Sequence, residues 1–147
     1  MSLFLGGTSS ANECHDYEEG SFTMSLSQGS NTSNSGRYVK IGTIVLAAGN
    51  VSLDNISSGS TVQINGLPFT SDGGGVGRSY NGAIRGYNCS NISGSGMRPT
   101  NAVIHGDGTN VQFGTFESAQ AWSMMQYNDF TSTNNSIRWT CVYKSND

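Results

Sequence analysis

Apolar and polar positions alternate with a period of two along most of this chain, which is the spacing of half-buried β-strands. Phe22, Met24 and Leu26 alternate with Ser21, Thr23 and Ser25. Val62 and Ile64 alternate with Thr61, Gln63 and Asn65, and Val111 and Phe113 with Asn110 and Gln112. Towards the C-terminus Ile137, Trp139, Cys141 and Tyr143 share one face, while Arg138, Thr140 and Lys144 point the other way. Residues 37–48 read as the longest strand, and it is apolar on both faces. Val39, Ile41 and Val45 lie on one side, Tyr38, Ile44 and Leu46 on the other. Such a strand needs a central position in the fold or a second surface to cover it. Helical spacing is confined to residues 117–125, which predict one helical turn or a loop.

Polar, turn-forming stretches at 28–36, 72–77, 88–96 and 131–136 punctuate these runs. Strands recurring about every ten residues between such turns predict an all-β fold, an antiparallel sandwich or barrel of roughly eight or nine strands. No internal repeat is visible, which argues against a solenoid or propeller. At 147 residues the chain has the size of one domain.

Composition narrows the function classes. Ser, Gly, Asn and Thr make up 70 of the 147 residues, and 12% are charged against about 25% in a typical domain. The net charge is −3 and no Lys or Arg cluster occurs in sequence, so the footprint of a nucleic-acid binder is missing. No apolar run reaches the ~18 residues that span a bilayer, and residues 1–5 are too short for a signal peptide, so membrane insertion is not expected. With 35% apolar residues and two prolines, the chain can build a core.

Chemistry-bearing motifs are sparse. Cys14, Cys89 and Cys141 form no C-x-x-C pair, Cys14 and His15 are too close to share one tetrahedral site easily, and His105 stands alone. No metal site is expected, and the cysteines read as reduced thiols of a protein assembled in a cytoplasm, with Cys141 on an apolar strand face. The Asn-x-Ser/Thr triplets follow from composition and imply no glycan. No serine carries glycine at both −2 and +2. Residues 72–79 lack the spacing, the lysine and the following helix of a phosphate loop, and read as a flexible hairpin loop. Asp16, Glu18 and Glu19 crowd together without the apolar surroundings that would raise a catalytic carboxyl. His105 and Asp107 read as a solvated turn. No catalytic residue and no cofactor are expected, and the chain is not read as an enzyme.

Aromatic rings beside amides and hydroxyls are the pairing that sugar-binding surfaces use. Tyr80, Tyr87, Trp122 and Tyr127 lie near Asn-, Ser- and Gln-rich loops. Trp139 belongs to the core by its strand face. Trp122 suits a core or interface position better than a ligand contact, given how often Trp is buried.

Three motifs add a resemblance. Gly6, Gly7, Thr8, Ala11 and Asn12 lead into Asp16-Tyr-Glu-Glu-Gly20, followed by Phe22 and Thr23. Gly36-Arg-Tyr-Val-Lys-Ile-Gly-Thr-Ile-Val45 and Ile64-Asn-Gly-Leu-Pro-Phe69 follow in order. Together they resemble the C-terminal domains of tailed-phage tail fibres, especially those of marine and cyanobacterial phages. Ser21, Met24 and the Cys14-His15 pair depart from that pattern, and beyond Thr70 the resemblance fades.

The resemblance implies a single-domain antiparallel β-sandwich, jelly-roll-like, in a homotrimer. Residues 1–16 would be a linker from a fibre shaft and 17–147 the head domain. Asp16, Tyr17, Glu18, Glu19 and Gly20 would mark that junction, the carboxylates capping backbone amides or pairing with Arg or Lys of a neighbouring chain. The implied role is adsorption of a virion to a bacterial surface glycan or other outer-surface receptor, beside other virion tail proteins. The resemblance carries over no binding residues; Tyr80, Arg98, Trp122 and Tyr127 are the ligand contacts expected from the aromatic and basic residues themselves. The alternative is a purely structural fibre or trimerisation domain, with a polysaccharide depolymerase a more remote third.

Overall fold

Gly42 folds the chain back on itself in the computed structural model. It holds a positive φ of 57°, and with Thr43 forms a two-residue turn between Asn34–Ile41 and Ile44–Leu53. Glycine in the first central position suits a type II′ hairpin turn, whose twist matches that of the flanking strands. Residues 37–48 are therefore not one strand apolar on both faces but parts of two. Crossing a two-residue turn shifts the parity of the facing, so Val39, Ile41, Ile44 and Leu46 share one surface while Tyr38, Val45 and Ala47 share the other.

The structure describes residues 3–4, 13–14, 16–28, 34–53, 59–73, 79–87, 99–115, 123–130 and 135–146. Among them β1 (Leu3–Phe4) and β2 (Glu13–Cys14) form a small separate ladder. The main sheet begins with β3 (Tyr17–Thr23), β4 (Ser25–Leu26) and the hairpin strands β5 (Asn34–Ile41) and β6 (Ile44–Leu53). It continues with β7 (Gln63–Asn65), β8 (Ser79–Tyr87), β9 (Pro99–His105) and β10 (Asn110–Thr115). It ends with β11 (Ser123–Met124) and β12 (Asn135–Lys144). Ser123–Met124 is thus strand where helical spacing had pointed to a turn or loop; residues 117–122 lie outside the described residues.

All pairs are antiparallel, in the order β3-β5-β6-β12-β8-β9-β10-β7-β4, with β11 on β10. The two outermost strands, β3 and β4, are consecutive in sequence, with Met24 alone between them. One bent segment therefore supplies both edges, pairing with β5 through its first half and with β7 through its second. The layers of the expected sandwich are parts of one continuous sheet, curled into a nearly closed barrel. Register partners run round from Gly20 through Tyr38, Ala47, Cys141, Gly82 and Ala102 to Phe113; its neighbour Gln112 pairs with Gln63, and Ile64 beside that pairs with Leu26, on the same bent segment. That stagger tilts the strands and leaves an interior just wide enough for side chains to fill.

The interior is filled accordingly. Every second residue of β12 from Asn135 to Tyr143 is buried, as alternation predicts, and Val45, Ala47, Val51 and Leu53 of β6 meet them across the ladder. Glycines make room for rings at one side of the core. The Phe22 ring lies over Gly36, the Tyr38 ring over Gly20, and Trp139 with Met24 over Gly49. At the turn end of the barrel, Ser71 Oγ donates to His105 O at 2.6 Å, and Ser71 bridges Ser145. Asp107 accepts from Gly73 N at 3.1 Å, and Tyr143 Oη donates to Phe69 O at 3.1 Å, stitching the C-terminal strand to the loops.

Candidate interaction surface

The barrel has two chemically different ends. The chain leaves the sheet at Leu53, Tyr87 and Thr115 and re-enters it at Asn34, Pro99 and Asn135. Register places all six at one end, where Asn135 faces Leu53, Asn34 faces Val51, Ser136 faces Tyr87 and Thr115 faces Pro99. At the opposite end lie Tyr17, the Gly42 turn, Lys144 and the His105 turn.

Between these ends the outward face of β3, β5, β6, β12 and β8 changes character row by row. Nearest the turn, Tyr17, Ile41, Ile44 and Lys144 stand side by side, and the next row is Glu19, Val39, Leu46 and Val142. Ile41, Ile44, Leu46 and Val142 keep 45%, 50%, 44% and 52% of their surface exposed. Four large aliphatic side chains sharing one exposed surface are the signature of an interaction patch. The third row is Ser21, Arg37, Ala48, Thr140 and Ala83, and the fourth Thr23, Ser35, Asn50, Arg138 and Arg85. Two shallow grooves of about 540 and 530 Å³ score this face and share Ser21, Arg37 and Ala48. Glu19, Val39 and Leu46 line the first; Asn50, Arg138 and Thr140 line the second.

The charges near the turn end and those of the outward arginine rows are handled differently. Lys40 is buried, 3.6 Å from Asp16 and with its ammonium 5.1 Å from the Phe69 ring centroid. Lys144 pairs with Asp72 at 2.8 Å. Tyr17 Oη donates to Glu19 at 2.8 Å, and Tyr38 Oη donates to Glu18. Each of these carboxylates holds its partner's phenolic proton, so both hydroxyls titrate above their ordinary range. Arg37, Arg85 and Arg138, by contrast, have no carboxylate within ion-pair distance among the described residues. No group of three His, Cys, Asp or Glu among the described residues could hold a metal ion.

The expected ligand contacts fall in different places. Tyr127 is completely buried; its hydroxyl lies 3.1 Å from Ser27 Oγ and accepts from Gln28 N at 3.3 Å, inside the core. It is a core residue, not a surface contact, because that internal site satisfies its one polar atom. Tyr80 is half-buried, packs against Tyr143 with ring centroids 6.3 Å apart, and donates to Asp72 O at 3.2 Å near the turn end. Arg98 and Trp122 lie outside the described residues.

Asp16, Tyr17, Glu18, Glu19 and Gly20 open the first strand of the barrel. Asp16 pairs with Lys40 of its own chain and accepts Gly42 N at 2.9 Å through its backbone carbonyl. A Cβ at Gly20 would come 2.9 Å from the Tyr38 ring, so a larger residue there must displace the end of that side chain. His105 is not merely solvated. Its Nε2 and Nδ1 lie 3.1 Å from Gln112 Oε1 and 3.2 Å from Ser79 Oγ. Because Gln112 Nε2 donates to Gln63 at 3.1 Å, its Oε1 faces His105 and accepts from Nε2.

The outward Arg85–Arg138 pair was not legible in the sequence, where 53 positions separate the two residues; only the β8–β12 register brings them together. The exposed aliphatic patch did carry a local signal, the apolar residues on either side of Gly42 and Thr43. Comparisons with protein-family models, with curated proteins and with solved structures give no match for this chain.

Proposed function

We propose that this domain is the head of a phage virion fibre: homotrimeric, non-enzymatic, and used for adsorption to the host surface, with a bacterial surface glycan as its target. The observation that carries this reading is the polarity of the barrel. The chain enters the first barrel strand at Tyr17 on one end, and the connections that follow Tyr87 and Thr115 depart from the other. A head on a shaft needs that arrangement, with attachment at one end and variable connections at the other. The exposed patch of Ile41, Ile44, Leu46 and Val142 beside the linker end is where neighbouring chains would meet about a three-fold axis. Weak binding by each head would be multiplied by three copies per fibre. The domain would be assembled in the host cytoplasm and carried on the virion beside other tail proteins.

The same apolar patch also favours the second reading, a structural trimerisation domain with no ligand. Adsorption separates the two. Purified protein, and the double variant R98A/W122A, are applied to candidate host cells and to a glycan array. Retention that the variant loses while keeping its mass supports the fibre head, whereas a trimer that adheres to nothing supports the structural domain.

A further inference from the structure

Arg85 and Arg138 are register partners on adjacent antiparallel strands, and both are exposed. Cβ atoms of directly opposed residues stand about 4.5–5.5 Å apart, and like charges in that position destabilise a sheet. No described carboxylate offsets them. Arg138 lines the 530 Å³ groove together with Arg37, Ser21, Ser35, Asn50 and Thr140. Asn50 is already oriented there, since its Oδ1 accepts from Ser136 Oγ at 2.7 Å and its amide N–H groups remain to donate. In a chain of net charge −3, three of the seven Lys and Arg residues thus sit on one face, with hydroxyls and an amide between them.

We infer that this groove, with Arg85 flanking it as the register partner of Arg138, is a binding site for the anionic groups (sulfate, carboxylate or phosphate) of an acidic polysaccharide. A guanidinium forks onto two oxygens of such a group, and an anion seated between Arg85 and Arg138 turns their repulsion into attraction. The hydroxyls and the Asn50 amide are suited to sugar hydroxyls. Single-stranded nucleic acid fits less well: binding there relies on stacked aromatic rings, and Trp139, the ring that borders the groove, is 2% exposed and packed in the core, while Arg37, Arg85 and Arg138 are interleaved with Ser, Thr, Ala and Asn. The site lies on the flank of the barrel. Its Arg85–Arg138 row is four residues along β6 from the Leu46 row, about 13 Å at ~3.3 Å per residue, while Arg37 and Ala48 border both grooves.

The test is binding of heparin, as a sulfated polysaccharide probe, against neutral dextran, with R85Q, R138Q and the doubly substituted protein. K144Q serves as a charge-matched control from the ion pair with Asp72. Wild-type protein is expected to bind heparin and not dextran. Each Arg substitution should weaken binding roughly tenfold, as loss of a charge-assisted hydrogen bond would. Without anion, R85Q should melt no lower than wild type, because it removes a repulsion. Unchanged heparin binding in R85Q/R138Q, or an equal loss in K144Q, overturns the proposal in favour of general charge attraction. Preference for phosphatidylglycerol vesicles or for single-stranded DNA over heparin overturns it in favour of those partners. None of these measurements uses host cells, so they stand or fall separately from the fibre-head reading.

Discussion

Phe22 and Gly36 face each other across the β3–β5 ladder so closely that the ring occupies the space a side chain at 36 would need. A Cβ there would come within 2.2 Å of the ring. The same ring packs 6.4 Å from Trp139 and 6.5 Å from Tyr38, centroid to centroid. Gly36 is therefore the floor on which three aromatic side chains from β3, β5 and β12 meet.

Substituting Gly36→Ala should destabilise the protein by about 1–3 kcal/mol, the usual range for overpacking. In a Phe22→Ala background the same substitution should cost much less, since the atoms it meets are gone. Urea unfolding of the four proteins of this double-mutant cycle measures the coupling. A Gly36→Ala cost that is the same in both backgrounds counts against ring contact as the cause.

Gly42 presents the opposite case. Nothing lies within 4 Å of where its Cβ would be, so Gly42→Ala meets no steric obstacle. Its positive φ remains, and that alone should cost about 1–2 kcal/mol. A thermal melt compared with Thr43→Ala, one residue along the same turn, isolates the conformational part.

Burial pushes the Cys141 thiol from an ordinary 9.0 up to about 11. Below pH 9 it is protonated in both folded and unfolded chains and adds no pH dependence. Between pH 9 and about 11 the unfolded chain ionises first and holds fewer protons, so stability falls as pH rises. Tyr17 and Tyr38, also raised, act in the same direction above pH 10. Urea midpoints from pH 8 to 11 should therefore decline more steeply for wild type than for Cys141→Ala.

The aliphatic patch makes a prediction about mass. If chains meet there, wild-type protein should scatter light as a trimer of about 46 kDa, three chains of 15.5 kDa. L46K/V142K should scatter as a monomer, with little change in monomer stability because both side chains are about half exposed. A monomeric wild type removes the patch from consideration as a subunit contact.

Period-two alternation determined much of this architecture by itself. The inward and outward faces of β12, the buried Val62 and Ile64 of the β7 region, and Val111 and Phe113 of β10 are where the pattern puts them. The reason is local: in a strand, successive side chains must point to opposite faces. The hairpin at Gly42 was locally encoded as well, but Gly-Thr is a weaker turn signal than Asn-Gly or Asp-Gly, and the apolar run continues through it.

Tertiary structure alone decided the rest. Whether residues 17–26 form one edge of a sheet or both depends on partners far along the chain, β5 on one side and β7 on the other. Tyr127 looks like a loop aromatic in sequence and is buried in the core, where the Gln28 N–H donates to its hydroxyl and Ser27 Oγ lies beside it, both from the opposite part of the chain. Arg85 meets Arg138 only through the register of β8 on β12. Side-chain facing is a property of neighbouring residues, whereas strand partnership is fixed by closure of the whole barrel, and the candidate surface is made of partnerships.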